Sequence, residues 1–319
     1  MLIRQDTDIC RRKIWHTAPM RKVLIIALIA LLSGCANTTA VGGYTISQND
    51  VRSISLSSQS SFSASRVIVL ANGVAEIIHS LNGRSIIVGR DISSTEDSLA
   101  DIPIVTSGHQ LLPEKVIALN PDLVLIDAST GPKAAIATVR AAGIRVVETP
   151  ESWSLKDLPI KVRAVGDAIG APDQAELLIK KINQSLKTNQ IRNSPRVAFL
   201  YLRGTSSIYL IGGAGSGADS LLDSIGAVDV GAQSLERPFN TLTAESLAAL
   251  NPDVILVMSK GLESVGGIQG LLKLPGVAQT RAGKNAAVID VDDSLLLSFG
   301  PRTPSLIEAL AKALHKVAP

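Results

Sequence analysis

A histidine and a tyrosine, each near the end of an apolar run, are the side chains best suited to chemistry in this chain. His109 stands in VTSGHQLLPEK, directly ahead of a helix that Pro113 opens. Tyr201 stands in RVAFLYLRG with Arg203 two positions on. Strand residues of like parity share a face, so phenol and guanidinium project together. A nearby positive charge favours the ionised form of an acid whose free pKa is ~10. A bound ferric ion would drive the phenolic proton off outright. Imidazole and phenolate together are therefore a donor pair for iron. Each also has a plainer role, His109 as a loop residue and Tyr201 as a core-edge ring with Arg203 snorkelling past it.

The elements that must position this pair repeat. LLPEKVIALNPDLVLI returns as LTAESLAALNPDVILV, with Glu114/Glu245, Asn120/Asn251 and Asp122/Asp253 in register. Only the first copy is preceded by a histidine. Around each copy, β-branched runs such as RVIVLANG, SIIVGRD and IRVVET alternate with short helical stretches, which implies a parallel α/β sheet. Between the halves, SLKDLPIKVRAVGDAIG to AELLIKKINQSLKTNQ is long and helical. The expected fold is α/β: two similar Rossmann-like lobes with parallel sheets, joined by a long bridging helix, with a ligand cleft between the lobes.

The composition narrows the field. The chain has 319 residues, 46% of them apolar but only 3% aromatic, so aliphatic side chains must fill the core. Its net charge of +3 is uneven: the first 34 residues hold six of the 31 basic and two of the 28 acidic side chains, leaving 25 against 26. A near-neutral body gives no electrostatic reason to expect nucleic-acid binding. The basic excess belongs to a leader in which Met20-Arg21-Lys22 precedes VLIIALIALL and then LSGC. That apolar run is short for a bilayer span and reads as an export signal, with translation starting at Met1 or Met20. The only other cysteine, Cys10, lies upstream of Cys35, so a mature chain beginning at Cys35 has no internal disulfide. Residues 36 to about 64 are rich in Ser, Thr, Asn and Gly and read as a flexible tether.

The L-S-G-C ending, the two α/β lobes and the bridging helix resemble the substrate-binding lipoproteins of bacterial ABC importers for haem, siderophores and cobalamin. GHQLLPEKVIALNPDLVLIDASTGPK and the tail from PDVILVMSK to FGPRTP are most similar to the haem-binding members. The resemblance covers roughly residues 66 to 315 and implies several roles. Cys35 would be lipidated, holding an exported protein at the membrane and facing the periplasm or cell exterior. Haem, as transported ligand rather than catalytic cofactor, would take its axial ligands from His109 of lobe one and Tyr201 of lobe two, both established haem donors. Arg203 would support Tyr201. Arg302, Ser206, Ser207 and Tyr209 are candidate pocket or propionate contacts. Glu76 in lobe one, with Asp219 or Asp223 in lobe two, would dock to an ABC permease and its ATPase. A monomer is expected. The implied divisions are a signal peptide over 1–34, a lipidated tether over 35–65, lobes over 66–152 and 194–319, and a bridge over 153–193.

Other readings are weaker on the residues themselves. His16 is in the leader, and His79 and His315 sit within helical patterns. IGGAGSGADSLL has nucleotide-like glycine spacing but lacks the acidic partner of a dinucleotide fingerprint, so it reads as a turn entering a helix. No P-loop, G-x-S-x-G or H-E-x-x-H occurs, which leaves an enzyme on a doubled α/β fold without machinery. A zinc-binding role is poor because a third histidine ligand or a convincing carboxylate set is absent. A ferric siderophore or cobalamin keeps the fold and changes the cargo.

Overall fold

The computed structural model describes residues 42–57, 61–108, 110–186, 191 and 193–318. The leader, Cys35 and His109 lie outside them.

Lobe one is built on four parallel strands in the order Ile87–Arg90, Val67–Val69, Leu123–Ile126, Arg145–Glu148. Its central strands, Val67–Val69 and Leu123–Ile126, are buried on both faces, as helices on each side require. Chain order reverses beside Val67–Val69, and ligands of open α/β sheets sit beyond strand ends at such a reversal. Lobe two carries a larger sheet in which Gly43–Ile46, Val288–Val291, Val254–Met258 and Arg196–Arg203 run parallel. Two antiparallel strands, Ile208–Gly212 and Phe239–Thr241, extend it past Arg196–Arg203. The second sheet is therefore mixed, not purely parallel.

The repeated N-P-D motif does the same structural work twice. Asn120 and Asn251 both end a helix with left-handed backbone, φ 46° and 39°, a conformation Asn tolerates better than most residues. Asp122 then accepts from the backbone N–H groups of Ser65 and Arg66 at 2.7 and 3.1 Å. Asp253 accepts from that of Arg196 at 3.1 Å. Arg66 and Arg196 return a side-chain hydrogen bond to a carbonyl at the end of the preceding helix. The duplication thus pins Val67–Val69 to Leu123–Ile126 in lobe one and Arg196–Arg203 to Val254–Met258 in lobe two.

Two expectations change. The bridge is two helices, Leu158–Ile169 and Pro172–Ser185, rather than one. Gly170 breaks it with φ 78°, and a Cβ there would press on Ser63. The two helices fold back on each other, and Leu158, Val162, Val165, Leu178 and Ile182 are buried in the core of lobe one.

The described part of the supposed tether belongs to the fold. Gly43–Ile46 is an edge strand of lobe two, and Ile46, Val51 and Leu56 are buried. Leu56 joins the core of lobe one and its N–H donates to Ser80 O at 2.8 Å. Each such side chain stabilises by roughly 1.5–3 kcal/mol on full burial, more than a tether would forgo. Serine and asparagine content concealed a strap that crosses from one lobe to the other.

Candidate functional site

Strands of both lobes end at a cavity of about 550 Å3. Lobe one contributes Leu70, Asn72, Asp91 and Asp127, each one to three residues beyond a strand, with Ile92, Ser93, Thr106, Gly108, Ser129 and Thr130. Lobe two contributes Tyr201, Arg203, Thr205, Met258, Lys260, Ser264, Asp293 and Leu297.

Tyr201 lies near the end of Arg196–Arg203, half-buried, with its ring edge-on to Phe239 at 5.6 Å between centroids. The Arg203 guanidinium lies over the Tyr201 ring, its Cζ 4.6 Å from the centroid. This is a cation–π contact that fixes the ring's orientation. Arg203 Nη1 donates to Leu202 O at 2.9 Å, and Nη2 stands 3.6 Å from Asp293 Oδ1. The tyrosine is thus held from two sides while facing the cavity.

On the opposite wall two nearly buried carboxylates organise the loops. Asp127 accepts from the N–H of Asn72 and of Ser129 and from the hydroxyls of Ser129 and Thr130. Asp91 accepts from the Ser93 N–H and hydroxyl. These are self-bonded turns that rigidify the wall, with the carboxylates already satisfied. His109 is outside the described residues; its neighbour Gly108 lines the cavity, and Ser107 pairs with Gln110 in a short antiparallel ladder.

Several expected site residues are elsewhere. Arg302 does not line the cavity: it is 6% exposed, with Nε 3.1 Å from Glu76 Oε2 and Nη2 3.1 Å from Glu96 Oε1. Glu76 is 4% exposed and also accepts from the Arg302 N–H at 2.7 Å, so it presents no surface to a permease. Tyr209 pairs with Leu202, which puts its ring on the sheet face opposite Tyr201, against the core. Ser206 and Ser207 are exposed in the turn, where Thr205 lines the cavity in their stead. Asp219 is half-buried and accepts from the N–H groups of Gly215 and Gly217 at 2.7 and 3.0 Å. That carboxylate occupies the donors a phosphate would need, which settles the glycine-rich stretch as a turn. Asp223 is exposed. His79 and His315 do not line the interlobe cavity.

Asp91, Asp127, Asp293, Lys260 and Thr205 were missed by motif reasoning. The signal was available: Asp91 and Asp127 follow their strands immediately, and Lys260 stands two residues beyond Met258. Strand ends, not motifs, mark this site.

A site assembled across two lobes from strand-end loops is the architecture of a ligand-capturing protein. Residues 67–295 match the periplasmic binding protein family, and the chain belongs to it. Among curated proteins it is similar to YvrC of Bacillus subtilis (strain 168), described as an uncharacterized ABC transporter substrate-binding lipoprotein. The two are 29% identical over 63% of this chain, and the match spans 64% of YvrC, less than two thirds of its length. Among solved structures it is similar to the periplasmic heme-binding protein RhuT from Roseiflexus sp. RS-1 in apo form. That match has 34% identity and a TM-score of 0.75, covering 80% of this chain and all of that one. The heme-binding protein HmuT matches at 32% identity with a TM-score of 0.76, over 87% of this chain and 97% of that one.

Proposed function

We propose that this protein is the extracytoplasmic substrate-binding component of an ABC haem importer, catalysing no reaction. It captures ferric haem between its lobes, with His109 and Tyr201 as axial ligands. The observation that carries the reading is Tyr201, clamped by Arg203 and Phe239 yet facing a cavity that Gly108 borders from the other lobe. Leu70, Ile92, Met258 and Leu297 offer apolar contact to a flat macrocycle, and burial of the porphyrin supplies much of the affinity. The similar structures RhuT and HmuT are titled heme-binding proteins. HmuT has also been solved as single alanine variants of a histidine, a tyrosine and the arginine two positions after that tyrosine. The Tyr201–Arg203 spacing here is the same.

Export through residues 1–34 and lipid on Cys35 would hold the protein at the membrane outer surface. Asp223, exposed on lobe two, remains available for the permease.

The test is a visible-absorption titration of the purified protein with hemin. A saturable Soret shift in the wild type, weakened or spectrally altered in His109→Ala and in Tyr201→Phe, is the expected result. A wild type that leaves the hemin spectrum unchanged overturns the reading. So does a shift that neither variant affects.

A further inference from the structure

One cation in the interlobe cavity has no side-chain partner among the described residues. Lys260 is exposed, opens the helix Ser259–Ser264 and lines the cavity, and its ammonium makes no hydrogen bond or ion pair among the described residues. Its setting is built. The Lys260 backbone N–H donates to Asp293 Oδ2 at 2.9 Å, and Asp293 Oδ1 faces Arg203 Nη2 at 3.6 Å. Gly261 next to it lies so close to Arg196–Arg203 that a Cβ there would stand 2.9 Å from Leu202 O and 3.6 Å from Arg203 Nη1. Lys260 and Arg203 are therefore neighbours at one end of the lobe-two wall.

Their charges are not equivalent. Arg203 is occupied by the Tyr201 ring, by Leu202 O and by Asp293. The carboxylates of the opposite wall, Asp91 and Asp127, are satisfied by their own turns. They keep their charge on that wall. On the lobe-two wall itself two cations, Arg203 and Lys260, stand with one carboxylate, Asp293, and the ammonium of Lys260 is the group left to receive an anion. Such a group favours a ligand that brings an anion to this end of the cavity, since a charge-assisted hydrogen bond is stronger than a neutral one.

Resting on the haem reading above, we infer that Lys260 is a specificity-determining residue that binds a carboxylate side arm of the porphyrin. It sets which edge of the macrocycle enters beside Arg203. Lys260 does not touch the iron, so its contribution separates from that of the axial ligands.

The experiment compares hemin with hemin dimethyl ester, whose carboxylates are capped, on wild type, Lys260→Met and the exposed control Lys284→Met. Affinities are read from Soret titrations. Lys260→Met should bind hemin roughly tenfold more weakly with an unchanged bound-state spectrum, while its affinity for the ester matches that of the wild type. Lys284→Met should behave as wild type with both. Equal hemin affinity in wild type and Lys260→Met overturns the inference and leaves the haem reading standing. Equal losses for hemin and ester overturn it too, by revealing a structural role. A wild type that binds neither porphyrin removes the parent reading and this inference together.

Discussion

Arg302 and Glu76, 226 residues apart, form a buried ion pair at the junction of the lobes, with Nε 3.1 Å from Oε2 and both side chains below a tenth exposed. Glu96 approaches the same guanidinium, and burial pushes its carboxyl up from the ordinary value. Removing one member of such a pair leaves an uncompensated charge out of water, which costs on the order of 3–5 kcal/mol. Glu76→Ala and Arg302→Met should each lower unfolding free energy by about that much in urea titrations. The Glu76→Ala/Arg302→Met double variant should lose clearly less than the sum of the two single changes. Additive losses would mean that the pair is not coupled. Any transport defect of Glu76 variants should track this instability.

Asp122 and Asp253 give a graded comparison. Asp122 accepts from Ser65 N–H, Ser65 Oγ–H and Arg66 N–H. Asp253 accepts from Arg196 N–H and from an exposed Arg281. The donors to Asp122 are all exposed, so water can replace its carboxylate. The Arg196 N–H that donates to Asp253 is half-buried and costs more to leave unpaired, while the exposed ion pair to Arg281 contributes little. Asp253→Ala should therefore destabilise by roughly 1–2 kcal/mol, and Asp122→Ala, although it loses three hydrogen bonds, by about 1 kcal/mol or less. The midpoints of denaturant unfolding decide it.

How far the sequence led can be judged at particular residues. The N-P-D repeat announced two lobes because short-range chemistry, an Asn in a left-handed cap and an Asp on a neighbouring strand, leaves its mark in residue type. Tyr201 and Arg203 were legible because strand parity is local. Tyr209 defied the same reasoning: its face is set by the hairpin register that pairs it with Leu202, which no periodicity within one strand reveals. Glu76 and Arg302 were misassigned because a buried pair between lobes looks, in sequence, like two solvated charges. The strap over Gly43–Leu56 was hidden by polar residues whose partners, Glu76 and Ser80 for Ser53 and Asp292 for Gln48, lie far along the chain.

Lys161 belongs to the first bridging helix and donates from Nζ to Ser298 O at 2.7 Å, joining lobe one's helical layer to lobe two. Burial is the main cause that lowers its pKa to about 8, against the pull of Asp127, Glu76 and Glu151. The unfolded chain keeps this proton to pH ~10.4. Between those values the unfolded state binds more protons, so this residue's contribution to stability grows as pH rises. From pH 7.5 to 9.5 the wild type should therefore gain stability relative to Lys161→Met, by up to ~2 kcal/mol. A difference that stays flat or falls with pH would contradict the burial of the ammonium.

Asp229 has the opposite sign. It caps the helix Val230–Ser234, its Oδ1 accepting from Ala232 N–H at 3.0 Å while Oδ2 is buried without a hydrogen-bond partner. Burial raises its pKa to about 6, with Asp219 adding to the shift. The folded state thus holds a proton that the unfolded chain has released by pH ~4. Asp229's contribution is fully present below pH ~4 and is lost as pH rises through about 6. Asp229→Asn keeps the capping oxygen and removes the ionisation. The variant should gain on the wild type by on the order of 2 kcal/mol between pH 4 and pH 7.5, ending equal to or more stable than it. Thermal unfolding of both proteins across that range measures the difference directly, and a variant that loses ground as pH rises would require an ionised Asp229 with a partner on Oδ2.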